Sequence, residues 1–313
     1  MSILSVKSLL KRFKDFTAVN NVSFELGEAE ILGFLGSNGA GKTTTIQMLM
    51  GILTPTSGSV SYFGKNLVTH REEILEKVNF SSTYTNLPWS LTVQDNLTFI
   101  SYLYDIKNRK QQVEKVVSLF KLGKLLNMPV TELSAGQTTR VNLAKAFINE
   151  PKVLLLDEPT ASLDPEVAQY VRDFILEERR KNKLSILFTS HNMQEVEDVC
   201  DRVLFINNGT IIADDTPINL ARKIEFSHIQ LYLDDTNMKH LLKFVTDKNY
   251  QYKQDKHRVT ITIKEKEIPL FLGRLISRKI HFEEISIEKP NLEDYFLQVA
   301  SDGAKEASFE TVI

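Results

Sequence analysis

The first two thirds of the chain are punctuated by short apolar runs. Val22–Leu26, Ala29–Leu35, Val153–Leu156 and the stretch SILFTS from Ser185 are bounded by turn residues and too short for buried helices. Continuous apolar runs of this kind predict strands of a parallel sheet covered on both faces. Between them the period changes to that of helices. A helix is predicted from Gly41 to Met50, closed by Gly51. Thr92 with Asp95 predicts a capped helix carrying Val93, Leu97, Ile100 and Tyr104 on one face, and a second helix carries Val113, Val116, Val117 and Phe120 before Gly123. These form a helical insert at about residues 90–150. Alternation resumes with VLLLD, a helix after Pro165, SILFTS, a helix from Met193 and the strands of DRVLFINNGTII. The fold class is therefore α/β, a sheet core with a helical subdomain.

After Asn219 the texture changes. Strand-like HIQLYL (His228–Leu233), a helix through His240–Val245, the strands YQYKQ and HRVTITI, a helix entered at Pro269 and the strand HFEEISIE follow one another. Strand-helix-strand-strand-helix-strand is the order of the split two-layer motif of ferredoxin-like α+β domains. The expected organisation is a large domain at 1–219, a small α+β accessory domain at 220–300 and a frayed tail at 301–313. A further helix, NLEDYFLQVA, follows Pro290.

Composition narrows the function classes. A formal net charge of -2 over 313 residues gives no global basic field, so nucleic acid is not expected as a partner. The single cysteine, Cys200, excludes an intramolecular disulfide and fits a buried small hydrophobe in a reducing compartment. Lys7, Lys11, Arg12 and Lys14 interrupt the N-terminal apolar residues, and no run approaches the ~20 apolar residues of a spanning helix. A soluble, cytoplasmic protein is expected.

Gly36-Ser-Asn-Gly-Ala-Gly-Lys-Thr43 fits G-x-x-x-x-G-K-S/T between a predicted strand and a predicted helix. In that context glycines let backbone N–H groups approach phosphate oxygens, Lys42 meets the β/γ charge and Thr43 offers a hydroxyl to Mg²⁺. Downstream, VLLLDE places Asp157 at a strand end to hold the metal shell and Glu158 beside it to polarise a water. A second glycine-bearing polar loop, Glu132-Leu-Ser-Ala-Gly-Gln-Thr-Thr-Arg140, opens another helix. As an isolated feature it could be an ordinary N-cap, with Ser134 or Thr138 satisfying free N–H groups.

Taken together, residues 1 to about 220 resemble the nucleotide-binding domain of ABC transporters, a P-loop NTPase cassette with a mixed sheet core. Leu133-Ser-Ala-Gly-Gln137 is similar to the family signature LSGGQ, departing at Ala135. Ala161-Ser-Leu-Asp164 resembles the D-loop, His191 the H-loop histidine, and Phe13 in KRFKDF sits where the family places an aromatic against adenine. The resemblance implies ATP and Mg²⁺. Gly36, Ser37, Asn38, Gly39, Ala40, Gly41, Lys42, Thr43 and Thr44 would cradle the nucleotide. Thr43 and Asp157 would hold the ion, and Glu158, His191 and Lys42 would be catalytic. It also answers why there are two loops: in the family two such domains close head to tail, so Ser134, Ala135, Gly136, Gln137 and Asp164 would reach the nucleotide of the second subunit. Where the family has a metal-touching glutamine this chain aligns Thr83, which either contributes a shorter hydrogen-bonding arm or belongs to a divergent turn.

Three function classes follow. The resemblance favours the ATPase subunit of a transporter whose integral membrane permease is a separate chain, placing this subunit on the cytoplasmic face of the membrane. The C-terminal KPNLEDYFL is similar to that of drug, lipid and polysaccharide exporters, which implies export. A soluble cassette protein of ribosomes or DNA would carry two cassettes or a coiled-coil insertion. A non-hydrolysing ATP-holding module would not need Lys42, Asp157, Glu158 and His191 together. The cargo, and whether the second ATP-binding subunit forms a homodimer or a heterodimer, are not written in this chain. The apolar loop Asn86-Leu-Pro-Trp89 reads equally as a permease contact or as core.

Overall fold

The computed structural model describes residues 2–82, 87–88 and 90–299. It divides into two compact units, meeting in sequence between Pro217 and Ile218. In chain order the first contains β1 (Ser2–Phe13), β2 (Phe16–Gly27), β3 (Ile31–Leu35), α1 (Lys42–Leu49), β4 (Ser57–Tyr62), β5 (Lys65–Asn66), α2 (Arg71–Leu75) and β6 (Val78–Ser82). The helices α3 (Val93–Ser101), α4 (Arg109–Leu119) and α5 (Ala135–Ala146) follow. The unit is completed by β7 (Val153–Asp157), α6 (Pro165–Asn182), β8 (Ser185–Thr189), α7 (Met193–Val199), β9 (Arg202–Asn207) and β10 (Thr210–Asp215).

The fully apolar runs become the interior strands. β3 and β8 are buried along their whole length, and Val153–Leu156 of β7 likewise. They lie in a sheet of order β10-β9-β3-β8-β7-β6, parallel from β9 to β6, with β10 added antiparallel as an edge hairpin. Because β6, β7, β8 and β3 run the same way, their carboxyl ends line up along one rim, where ligands of such sheets bind.

A second sheet, β2-β1-β4-β5, is antiparallel. Its apolar face, with Leu4, Val6, Leu9 and Phe24, shares a core with Leu32, Phe34 and Leu155 of the first sheet and Ile46 and Leu49 of α1. The rings of Phe24 and Phe34 stack at 5.8 Å across that core. In the helical insert Thr92 forms the expected capping box with Asp95, and Phe120 and Phe147 meet Phe174 of α6 at 5.3 and 5.0 Å. This aromatic trio ties the insert to the helix behind β7.

The short helix α8 (Pro217–Ala221) spans the division, and the second unit continues with β11 (Phe226–Tyr232), α9 (Asp235–Asp247), β12 (Gln251–Asp255), β13 (Arg258–Lys264), α10 (Ile268–Ser277) and β14 (Glu284–Glu288). Its antiparallel sheet has the order β12-β13-β11-β14. Residues alternate cleanly: Ile229, Leu231, Val259 and Ile261 form one core with Leu241, Phe244, Phe271 and Leu275 of the two helices. On the opposite face His228 contacts Thr262 at 3.2 Å and Asp294 at 3.1 Å, the latter from the helical segment 292–299.

Candidate functional site

Four adjacent strand ends build the site. β3 delivers the loop Gly36–Gly41, β8 delivers Thr189, Ser190 and His191, β7 delivers Asp157 and Glu158, and β6 ends at Ser82. Between them lies a cavity of ≈ 540 Å³ lined by Ser37, Asn38, Gly39, Gly41, Lys42, Thr43, Thr44, Ser82, Asp157, Glu158 and His191, with Phe16, Ala18, Ile46, Met50 and Ile52 as an apolar shelf.

The first loop needs its glycines for two separate reasons. A Cβ on Gly36 would meet the carbonyl oxygen of Ile206 at 2.3 Å, and Gly41 sits at φ +105 with the Ala18 carbonyl 2.5 Å from where a Cβ would be. Gly41 is also the N-cap of α1 and supplies no side-chain cap, so the first N–H groups of the helix face the cavity with their partial positive charge. Lys42 Nζ donates to the carbonyls of Gly36 at 2.6 Å and Ser37 at 3.1 Å. Burial lowers its pKa, opposed by Glu158 and then Asp157. A lysine whose charge is opposed by burial gains most from an anion brought to it.

Opposite Lys42, Asp157 accepts the hydroxyl of Thr189 at 2.7 Å on one oxygen and that of Ser82 at 3.3 Å on the other. Glu158 adopts φ +54, held there by its N–H donating to the carbonyl and hydroxyl of Thr189, both at 3.2 Å. One carboxylate oxygen of Glu158 lies 3.2 Å from His191 Nε2 and the other accepts the His191 N–H at 3.3 Å. Its pKa is raised, chiefly by burial, with His191 and Lys42 pulling the other way and Asp157 reinforcing the rise. A glutamate raised in this way and fixed beside a histidine can accept a proton from a bound water.

The donor set beside Lys42 is all oxygen: the Thr43 and Ser82 hydroxyls and the Asp157 carboxylate. Among the described residues no three His, Cys, Asp or Glu side chains cluster to form a metal cage. That fits Mg²⁺, which takes one or two protein oxygens and completes its shell with phosphate and water, and does not suit a softer metal.

The second polar loop lies elsewhere. Ser134 caps α5 in a capping box, accepting the Gln137 N–H at 3.3 Å while Gln137 Oε1 accepts the Ser134 N–H at 2.9 Å. The cap uses a lone pair of the hydroxyl and leaves its proton free to donate. A Cβ on Gly136 would lie 3.1 Å from the Ser162 carbonyl, so this loop packs on the 161–164 turn, and Asp164 occupies the N-cap position of α6 without a side-chain cap bond. Neither Ser134, Ala135, Gly136, Gln137 nor Asp164 lines the cavity.

Phe13 lies next to a second aromatic at the same turn. It pairs with Phe16 across the β1–β2 turn, and Phe16 lines the cavity while Phe13 packs under Lys11 Nζ at 5.0 Å. Both aromatics belong to KRFKDF. Ser82 and Thr189 went unread in the sequence, since small hydroxyl residues at strand ends carry no motif. Thr83, Asn86 and Trp89 lie outside the described residues.

Residues 19–161 match the family described as ABC transporter. Among curated proteins the chain is 33% identical over 236 residues to the Nod factor export ATP-binding protein I of Ralstonia nicotianae, covering 74% of this chain and 73% of that one. It is 27% identical over 303 residues to the bacitracin transport ATP-binding protein of Bacillus licheniformis, covering 96% and 98%. Among solved structures an ATP-binding subunit of an ABC transporter superposes with a TM-score of 0.66 at 25% identity, covering 71% of this chain and 93% of that one. With the P-loop, Asp157, Glu158 and His191 gathered on one rim, this chain belongs to the ATP-binding proteins of ABC transporters, the ATPases of that family.

Proposed function

We propose that the chain is the energy-coupling subunit of an exporter. It binds ATP with Mg²⁺, closes head to tail on a second ATP-binding subunit and drives a cargo through a permease carried on a separate polypeptide at the cytoplasmic face of the membrane. The observation that carries this reading is the separation of the two loops within one chain: the cavity holds the hydrolytic groups, while Ser134 and Gly136 stand outside it with a free hydroxyl proton and an exposed helix start. A second copy or a related chain, reversed, would bring such a loop over the terminal phosphate. ATP would then favour the closed pair because only that pair contacts the nucleotide from both sides.

In the cavity, Lys42 would exchange its two carbonyl partners for β/γ-phosphate oxygens, and the α1 N–H groups would bind the same phosphates. Thr43 and Asp157 would hold Mg²⁺, whose positive charge offsets the charge on the transferring group. Glu158 would accept the proton of the attacking water, with His191 orienting the carboxylate. Phe16 and the apolar shelf of Ile46, Met50 and Ile52 would seat the base.

Export is favoured by a relative whose name states that direction, the Nod factor export ATP-binding protein I, 33% identical over 236 residues, and by the exporter-like C-terminal KPNLEDYFL. The second unit, with its own core and no cluster of metal-binding side chains among the described residues, serves in this reading as an accessory or regulatory domain. Among those residues no helix is long and apolar enough to cross a membrane. The test is assembly: a Glu158→Gln chain given Mg·ATP should shift from monomer to dimer in light scattering, and one that binds ATP yet stays monomeric would rule out closure.

A further inference from the structure

Behind the loops bearing Glu158 and His191 lies a carboxylate that the proposed chemistry does not use. Glu195, in the first turn of α7, is only 2% exposed. Its Oε1 accepts the hydroxyl of Thr160 at 2.6 Å and its Oε2 accepts that of Ser190 at 2.7 Å. Thr160 stands two residues after Glu158, and Ser190 stands immediately before His191. One side chain therefore bridges the two loops whose tips meet as the 3.2 Å contact between Glu158 and His191.

The surroundings support a mechanical role. Ser190 Oγ also accepts the Asn192 N–H at 3.1 Å, and Asn192 caps α7 by accepting the Glu195 N–H at 3.2 Å, so the Ser190 end of the bridge is fixed to a helix. At the other end the Thr160 carbonyl accepts the Leu163 N–H at 3.0 Å, carrying the constraint into the 161–164 turn against which Gly136 packs. Arg172 of α6 approaches Glu195 at 3.7 Å and supplies the opposing charge. Burying a carboxylate is costly, and an apolar side chain would fill the same space more cheaply if filling were all that was required. Thr189 forms a parallel clasp one residue earlier, joining Asp157 and the Glu158 backbone.

We propose that Glu195 is a positioning residue for ATP hydrolysis: by accepting the Thr160 and Ser190 hydroxyls together it fixes Glu158 against His191 and holds the 161–164 turn in the same frame. The inference rests on Glu158 being the base. It predicts an effect on turnover rather than on nucleotide binding, because the bridge touches none of the P-loop residues that hold phosphate.

The experiment measures kcat, KM for Mg·ATP and melting temperature in the full chain. Glu195→Ala should lower kcat by about 10²-fold, the usual result of displacing a catalytic group by ~1 Å, with KM unchanged. Glu195→Gln, which can accept one hydroxyl and donate to the other, should recover most of that loss. Thr160→Val should lower kcat at constant KM, and adding it to Glu195→Ala should cost nothing more, as expected of two ends of one bridge. Wild-type kcat in Glu195→Ala, or additive losses in the double variant, would overturn the proposal. So would a fall in kcat that only tracks the ATP-binding fraction and is not rescued by glutamine. If Glu195→Ala does not fold, Thr160→Val decides: wild-type turnover there also overturns it. A Glu158→Gln chain assayed alongside separates the two readings. Its inactivity beside a fully active Glu195→Ala would remove only the bridge, whereas its normal turnover would remove the base assignment.

Discussion

His191 holds the carboxylate of Glu158 at both oxygens, through Nε2 at 3.2 Å from one and through its backbone N–H at 3.3 Å from the other. The grip leaves little rotational freedom to a side chain whose backbone is already confined at φ +54. Glu158→Gln keeps the shape and the acceptor but not the base. It should bind ATP as the wild type does and lose about 10²-fold or more in turnover. Steady-state phosphate release measured beside equilibrium nucleotide binding checks this, and unimpaired release would refute the assignment.

The same carboxylate makes a pH prediction with a definite sign. Burial raises the Glu158 pKa, so the base is lost to protonation at a higher pH than an exposed glutamate would be. The acidic limb of the kcat/KM profile, which reports the nucleotide-free enzyme, should lie above that expected of an ordinary glutamate. For stability the linkage runs the other way. With the folded pKa above the unfolded one, the native state binds the proton more tightly, and this contribution is present below the unfolded pKa and lost as pH rises through the folded value. Glu158→Gln should therefore melt higher than the wild type near neutral pH, with the difference closing on acidification. No convergence of the two melting curves at low pH would count against a raised pKa.

The P-loop was legible because its constraints are local. A backbone at φ +105 and a carbonyl 2.3 Å from a would-be Cβ admit glycine alone, and the spacing records this directly. Asp157 and His191 were legible because each follows an apolar run that could only be an interior strand. β1 was not, since its apolar residues Leu4, Val6 and Leu9 break alternation where register shifts occur, with Ser8 at φ 47. Phe16 at the cavity was not read because only the β1–β2 turn brings it opposite Phe13. Ser82 and Thr189 meet Asp157 from distant points in the sequence, and Glu195 meets Thr160 in the same way. No short pattern encodes such a contact.

Phe16 can be set against Phe13 in a binding experiment. Stacking of a base on an aromatic ring is worth ~1–3 kcal/mol, or about 5- to 150-fold in Kd. Phe16→Ala should weaken ATP by an amount in that range and weaken inorganic triphosphate hardly at all, while Phe13→Ala should leave both unchanged. Titration of a fluorescent nucleotide analogue in competition with ATP or triphosphate gives the answer. Equal loss for both ligands would place Phe16 in a structural role.

The second unit has its own core, from Ile229 through Phe271 to Ile280, and the division falls at Pro217. A chain ending at Pro217 should therefore fold, bind ATP and show a P-loop site of normal affinity, but be altered in dimerisation or in coupled transport. Nucleotide binding and light scattering on the truncated chain are sufficient. A truncated chain that folds by circular dichroism yet fails to bind ATP would show that residues 218–313 belong to the site.

Head-to-tail closure can be tested without knowing the cargo. In a reversed pair each ATP site takes its P-loop from one chain and its signature loop from the other. Lys42→Ala removes the cation that meets the phosphates, and Ser134→Arg fills the space over them with a bulky side chain and removes the hydroxyl donor. Each variant alone should be inactive, since both sites of its homodimer are damaged. In a mixed dimer the two defects fall in the same site, where the Lys42→Ala P-loop meets the Ser134→Arg loop, and the other site is assembled from two undamaged halves. Mixing should therefore restore hydrolysis, rising with the fraction of mixed dimer and approaching half the wild-type rate per dimer if the sites act independently. The fraction is measured by pull-down of two differently tagged chains. If mixed dimers form and the mixture stays inert, either the two loops do not meet across the interface or one intact site cannot turn over alone. A disulfide trap between single cysteines at Ser37 and Ser134, formed only across chains and only with ATP, separates these outcomes. Failure of that crosslink in the presence of mixed dimers would refute the head-to-tail arrangement.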